Sequence, residues 1–594
     1  SDTNSLDSGV SAQADSSAAQ PATQPENAGN TAAWPSAEDA VVGMRVDDFQ
    51  LTDTAGAAHQ LYYYSDAPAI VLMTQGNGCP IVRNAMPFYR EVRDVYADRG
   101  VEFFLLNSNL QDNSQSIAAE SAEFGFDIPV LVDEYQLIGE SLGVTRTAEV
   151  YVIDPKTRTV VYHGPVDDRL SYQVQRENAE HTYLIDALDA VLAGEAVPVA
   201  SADAPGCLVN FPERDRRAEH AKISYHKTIA PLLLEKCAGC HTEGGIGPWA
   251  MNGYAMIQGF APMIREVIRL DTMPPWNVDP NVGEFLHDKS LSAGQIKTLV
   301  HWIEADAPRG EGPDPLATPR PAIAEWPLGE PDLIVEIPAY DVPASGVVEW
   351  QRPAVANPMT EGRWLRASTV KVGSRQAVHH VLTGLLEEVP ESGTADESLW
   401  GASVGGYAVG SESYIARENI GTWVPAGGGI GFQMHYTPFG KPVTDVTEIG
   451  LYFYDEVPDK VLRNIAIADP GIEIPPETAN YPEVGYIEFP RDAELFYAFP
   501  HAHYRGQSST LTLVYPDGSE KLLLSMPKYD FNWQRAYEFV EPVDVPAGSK
   551  LVSRYTYDNS ARNPANPDPS LVITWGDQSW EEMLYTNLSY RWKD

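Results

Sequence analysis

Every histidine beyond residue 301 falls in a pattern suited to holding a metal: the adjacent pair His379-His380, the lone His435 in Gln433-Met-His-Tyr, and the alternating pair His501-Ala-His503. Neutral imidazole suits copper, and sites built mostly of histidine with a thioether point to that metal. Met583, in Glu-Glu-Met-Leu-Tyr, is the candidate soft ligand. Upstream, Cys237-Ala-Gly-Cys240-His241 is a c-type haem attachment motif. Its spacing places both thiols on one haem edge and the imidazole of His241 under the iron. Met273, followed by two prolines and Trp276, is the candidate sixth ligand, with Met251, Met256 and Met263 as rivals. A Met/His pair raises a haem's reduction potential. A third centre is a thiol, Cys79, set between a strand pattern and a helix pattern. Two coppers and one covalent haem on one chain imply a redox protein.

These side chains need particular elements. In a strand, residues i and i+2 share a face, so His501 and His503 can chelate one ion directly. His379 and His380 would point to opposite faces of a regular strand, so a bulge or strand end must bring them together. His435 would complete a three-histidine site. His501, His503 and Met583 would form a second site with a position open for oxygen.

The 594 residues divide by pattern. Residues 1–39, poor in aliphatic side chains, are expected to be disordered. Residues 40–212 alternate strands (Ala69–Thr74, Val101–Leu106, Ile128–Val132, Glu149–Asp154) with helical periodicity, which predicts an α/β layer fold. Residues 213–310 read as a small all-α cytochrome c domain, in which His301 is surface or structural. Residues 311–335 form a Pro-rich linker. Residues 336–594 carry short strands between Pro/Gly turns and predict two tandem all-β jelly rolls, 336–458 and 459–594.

The formal charge of −42 argues against nucleic acid as a partner. The chain has no run of 18 apolar residues, so no transmembrane segment is expected. With four cysteines, two of them in the haem motif, it is not a disulfide-built scaffold. No signal peptide is evident. The N-terminal composition fits a mature end after export or a tether to a lipid anchor. Together with a haem motif, whose attachment occurs outside the bacterial cytoplasm, this places the protein in the periplasm or outside the cell.

Two resemblances sharpen the reading. Gly78-Cys79-Pro80, Thr147-Ala-Glu-Val and Tyr162-His-Gly-Pro-Val-Asp-Asp resemble the thioredoxin-like redoxins. Val82 stands where a Cys-x-x-Cys motif would have its second cysteine, and Ala148 where many relatives carry a cis-proline. A thiolate at a helix N-terminus is acidified and reactive. The alternative is a Cys79 that is inert or paired with Cys207.

The second resemblance lies in residues 336–594. Ala377-Val-His379-His380, Gln433-Met-His435-Tyr436, His501-Ala-His503 and Glu581-Glu-Met583 resemble, in that order, the type II copper, ascorbate-dependent monooxygenases. Membership would imply an electron-transfer copper on His379, His380 and His435, and an oxygen-binding copper on His501, His503 and Met583, facing each other across a solvent gap. It would also imply hydroxylation of a substrate C–H bond with O2, using electrons from an ascorbate-like reductant or a redox protein. Here the fused haem would relay them. The substrate, a small molecule or peptide, is open. Phe499 replaces the arginine with which the peptide-amidating members hold a carboxylate, and Tyr585 and Asn587 stand in reversed order. Three competitors remain: an electron-transfer or redox-sensing protein without hydroxylase activity, a thiol peroxidase centred on Cys79, and a copper-delivery module.

Overall fold

The computed structural model describes residues 41–320, 324–408 and 411–593. The expected disordered segment 1–39 lies outside them.

Six consecutive buried residues, Ile70–Gln75, form the middle of a five-stranded sheet. The strand order is Val130–Val132, Glu102–Asn107, Ile70–Gln75, Val150–Asp154, Thr159–Gly164, with the first three parallel and the last two antiparallel. A strand covered on both faces reads as a near-continuous apolar run, as Ile70–Met73 does before the buried Thr74 and Gln75. On one face Val71 and Met73 pack with Val82, Met86 and Tyr89 of helix Pro80–Tyr96 and with Leu184 and Leu188 of helix Tyr183–Ala193. On the other, Ile70 and Leu72 pack with Leu106, Leu142 and Tyr151. Pro80 opens its helix at the first position, where its missing N–H costs nothing. Cys79 is thereby fixed at the N-cap.

Helices Ala230–Lys236, Tyr254–Arg269 and Ala293–Glu304 follow, around Ile229, Leu233, Ile257, Leu299 and Trp302. Ser292 and Gln295 close a reciprocal capping box on the last helix. Part of the Pro-rich segment belongs to this unit. Leu316 is buried in its core, and the Asp314 carboxylate accepts from the Tyr225 hydroxyl (2.7 Å) and the Tyr254 N–H (2.7 Å). Downstream of the helix ending at Arg269, Leu286 N–H donates to Glu538 O and Val540 N–H to Glu284 O. These bonds tie the helical unit to the edge strand Tyr537–Val545.

The remainder is largely all-β. A four-stranded sheet (Ala354–Ala356, Gly429–Tyr436, Val378–Leu386, Tyr407–Ala408) faces a larger one centred on Arg363–Lys371 and Glu448–Phe453, with Leu365, Val370, Val381, Phe432 and Ile449 between them. A second pair of four-stranded sheets encloses Leu495, Leu511, Leu524, Tyr555 and Leu588. One of these sheets carries Ala493–His501 beside Tyr585–Trp592. Each pair is two sheets, antiparallel but for one short parallel pairing (Ile420–Val424 with Lys460–Val461), sharing one core. Among the described residues no helix is long and apolar enough to cross a membrane.

Candidate redox and metal centres

Cys79 is buried at 3% exposure, and its Sγ lies 3.0 Å from the Thr147 hydroxyl and 3.1 Å from Cys207 Sγ. Burial alone would raise its pKa, but hydrogen bonds from the Thr147 hydroxyl, the Val82 N–H and the Cys207 thiol outweigh that effect and hold it below the ordinary thiol value. Cys207 moves the other way. Although the residue is exposed, partial desolvation of its sulfur, its donation to Cys79 and the charge on Cys79 all raise its pKa. One thiol is thus poised as nucleophile and leaving group, and the other as its protonated partner. Ala148, at the site of the missing proline, takes φ 60°, and its N–H donates to Thr74 O at 2.7 Å.

In the Cys237-Ala-Gly-Cys240-His241 motif, Cys237 caps helix Ala230–Lys236, and His241 N–H donates to Cys237 O at 3.1 Å. The sequence motif thus becomes a tight turn. His241 Nδ1 is held by the Trp249 carbonyl at 3.0 Å, which leaves Nε2 as the nitrogen with a lone pair. Burial lowers the His241 pKa, keeping the ring neutral. Burial also pushes Cys237 up to about 12 and raises Cys240. A neutral imidazole with Nε2 free and two unpaired thiols fit covalent haem. Met273 and Trp276 line a cleft of about 260 Å³ against Ile268, Leu291 and Lys528; His241 is not among its lining residues.

The C-terminal histidines converge. Strands Val378–Leu386 and Gly429–Tyr436 pair antiparallel, with Val378 opposite Tyr436 but His380 opposite His435. His379 is the extra residue of a β-bulge, the device that adjacent histidines require to serve one ion. One ring nitrogen from each of His379, His380 and His435 lies within 4.8 Å of the others. All three Nδ1 atoms are buried and lack a hydrogen-bond partner. His380 Nε2 is held at 2.8 Å by Gln433 Oε1, whose amide donates to Glu397 at 2.7 Å; Arg352 Nε donates to the same carboxylate at 2.6 Å. This chain fixes the tautomer with Nδ1 unprotonated.

His501 and His503 stand with ring centroids 5.0 Å apart. Gln534 Oε1 holds His501 Nδ1 at 2.6 Å, and Glu581 O lies 3.3 Å from His503 Nδ1, while His503 Nε2 is buried without a partner. The Glu582 carboxylate accepts from the N–H groups of His503 (2.7 Å), Arg505 (2.8 Å) and Met583 (3.0 Å). It therefore ties the His-x-His turn to the segment carrying Met583. Burial lowers every one of these imidazoles: His501 to about 4, His435 to about 3 with neighbouring histidines adding to the effect, and His379, His380 and His503 downward as well. All five are neutral near pH 7 and offer lone pairs. Orphaned, convergent, neutral imidazole nitrogens are the donor set copper takes.

The solvent gap implied by the resemblance is filled. Trp350 lies with its ring centroid 5.3 to 6.1 Å from those of His380, His435, His501 and His503. The cause is local. Gln351 exchanges backbone hydrogen bonds with Met434 (3.0 and 2.8 Å), which sets the preceding indole beside His435. Phe499 stacks near His501 (6.3 Å, 12°) and Tyr585 meets it edge-on (6.0 Å), so this approach is aromatic where a carboxylate-binding arginine would be needed.

Glu213, His220 and His301 also cluster. His220 Nε2 faces Glu213 at 2.9 Å and His301 Nε2 faces Glu140 at 3.0 Å, with the two rings stacked at 4.2 Å and 4°. Parallel rings do not converge on one ion. His301 is buried, not at the surface, and joins the helical unit to the α/β domain.

Residues 41–181 match the model of the family Redoxin. Similar solved structures include a hypothetical protein from Sinorhizobium meliloti 1021 (28% identity, 28% of this chain and 93% of that one, TM-score 0.26). An uncharacterized conserved protein from Geobacillus kaustophilus (27%, 29% and 92%, 0.26) and Peroxidoxin BcpB from Mycobacterium tuberculosis (20%, 26% and 96%, 0.20) are also similar. No curated protein matches the chain. By family match and by sheet order, residues 41–181 form a thioredoxin-like redoxin domain.

Proposed function

We propose that the chain is an oxidoreductase that reduces peroxides through Cys79 of its redoxin domain and Cys207, which lies beyond the matched residues 41–181. The 3.1 Å approach of the two sulfurs carries this reading. The Cys79 thiolate attacks a peroxide oxygen, the O–O bond breaks, and an alkoxide or hydroxide leaves and takes a proton from water, with Cys79 now a sulfenic acid. The Cys207 sulfur then displaces hydroxide from Cys79. Together with the thiol proton this forms water, and the two sulfurs are joined. Two electrons pass from the dithiol to the peroxide. With hydrogen peroxide and a dithiol reductant, the full chain is expected to turn over. Cys79→Ser should abolish peroxide consumption, and Cys207→Ser should halt after one equivalent with sulfenic acid at Cys79. Unchanged consumption by Cys79→Ser would refute the assignment.

The orphaned histidine nitrogens favour a second reading, a copper-dependent monooxygenase in the β region. His379, His380 and His435 would hold one copper, and His501, His503 and Met583 the other. Cys237, Cys240 and His241 would hold haem, with Met273 as its candidate sixth ligand. Copper and haem bound there would supply one-electron chemistry and dioxygen activation for C–H hydroxylation. The protein's own part is to present neutral imidazoles, fix their tautomers through Gln433 and Gln534, and surround them with Trp350, Phe499, Phe531 and Tyr585. An extracytoplasmic location belongs to this reading, because the haem motif is filled there. Elemental analysis of copper-loaded holoprotein is expected to give two coppers and one haem iron per chain. His380→Ala and His503→Ala should each remove one copper. Copper uptake indifferent to both variants would exclude these centres.

A further inference from the structure

The structure assigns an entry point for electrons: we infer that an external dithiol reductant reaches this centre only at Cys207, because residues 206–209 of the chain itself occupy the backbone edge beside Cys79. The inference rests on the dithiol reading and adds the direction from which the partner comes.

Four observations carry it. The Thr145–Thr147 edge is already paired. Thr147 N–H donates to Cys207 O (2.9 Å) and Val209 N–H to Thr145 O (3.0 Å), with Arg146 and Leu208 forming an antiparallel bridge. No incoming strand can add to an edge whose groups are spent. Gly206 is pinned as well. Its carbonyl accepts from the Tyr172 hydroxyl (2.6 Å) and from Arg146 Nη1 (3.1 Å), and its N–H donates to the Tyr172 oxygen (2.9 Å). Glycine is required here, since a Cβ at 206 would stand 1.8 Å from the Thr147 carbonyl oxygen. Finally, Cys79 is buried while Cys207 is exposed.

The exchange then runs one way. A thiolate of the reductant attacks Cys207 Sγ in the oxidised protein, and the Cys79–Cys207 bond breaks. The electron pair leaves on Cys79 as a thiolate, to which the Thr147 hydroxyl donates a hydrogen bond. The reductant's second thiolate attacks its own sulfur in the mixed disulfide and releases Cys207, which takes a proton from water. The dithiol has become a disulfide, and the protein is reduced by two electrons.

The reverse step gives the test. Full-length Cys79→Ser and Cys207→Ser are each incubated with glutathione disulfide, and the mixed disulfides are followed by peptide mass mapping. Thiolate character favours Cys79, whereas access favours Cys207. The expected result is an adduct on Cys207 forming at least about tenfold faster than one on Cys79. Adding Gly206→Val to Cys207→Ser, which lifts the segment, should raise the Cys79 rate by a similar factor. Equal or faster labelling of Cys79 without that lift overturns the inference. Failure of the wild-type chain to form any Cys79–Cys207 disulfide with diamide would instead overturn the underlying dithiol reading.

Discussion

At Cys79 two physical effects oppose each other. Burial disfavours a thiolate, whereas hydrogen bonds from the Thr147 hydroxyl, the Val82 N–H and both the thiol and the N–H of Cys207 favour it and prevail. The folded-state pKa is therefore depressed relative to the unfolded chain. The stability this contributes is complete above the unfolded value and is lost as pH falls through the folded one. Cys207→Ala removes one donor, so an ultraviolet thiolate titration is expected to show the Cys79 inflection at higher pH than in wild type. No movement, or movement downward, would mean that Cys207 does not support the thiolate. The sequence exposed Cys79, through its Cys-Pro step before a helix, and named Cys207 as a pairing alternative. It placed Thr147 in a redoxin-like motif but gave no sign of its contact with Cys79, because that contact spans 68 positions and depends on how a loop closes. Gln433 and Glu582 sat inside recognised motifs and were still passed over, since nothing in a one-dimensional pattern separates a ligand from the group orienting it. Trp350 and Gln534 had no local signal at all.

Among the elements, strands and helices followed their periodicities closely. The buried strand Ile70–Gln75 and the alternating β region were both legible. What periodicity reports poorly is its own interruption. The bulge at His379 was required by the pair of adjacent histidines, yet its place is set by the partner strand, where Gln433 also lies. Gln433→Ala would leave His380 free to rotate and to protonate the wrong nitrogen. Copper affinity is expected to fall by about 10–100-fold in a competitive chelator titration. Unchanged affinity would remove Gln433 from the ligand-orienting role. The Pro-rich segment illustrates the opposite error: prolines exclude a helix and suggest a spacer, but Leu316 and Asp314 bind that stretch into the helical core.

Taken as a whole, the molecule places a close pair of thiols, a Cys-x-x-Cys-His turn and two histidine groups on one acidic chain of net charge −42. Its α/β, helical and largely β regions follow one another along the chain. How they join was hidden, because the joining groups are scattered: the buried His301–Glu140 pair, the backbone bonds of Leu286 and Val540, and the Tyr63 hydroxyl donating to Asp558 at 2.7 Å. The claim on which the peroxide chemistry depends is that Cys79 and Cys207 exchange two electrons as a pair. Its most direct measurement is non-reducing peptide mapping of the full chain after one equivalent of hydrogen peroxide, with the haem-motif thiols followed in the same digest. The expected result is a dominant disulfide joining the Cys79 and Cys207 peptides, reversed by dithiol. Cys79 recovered as a free thiol or as an unlinked sulfinic acid, with Cys207 unmodified, would contradict it.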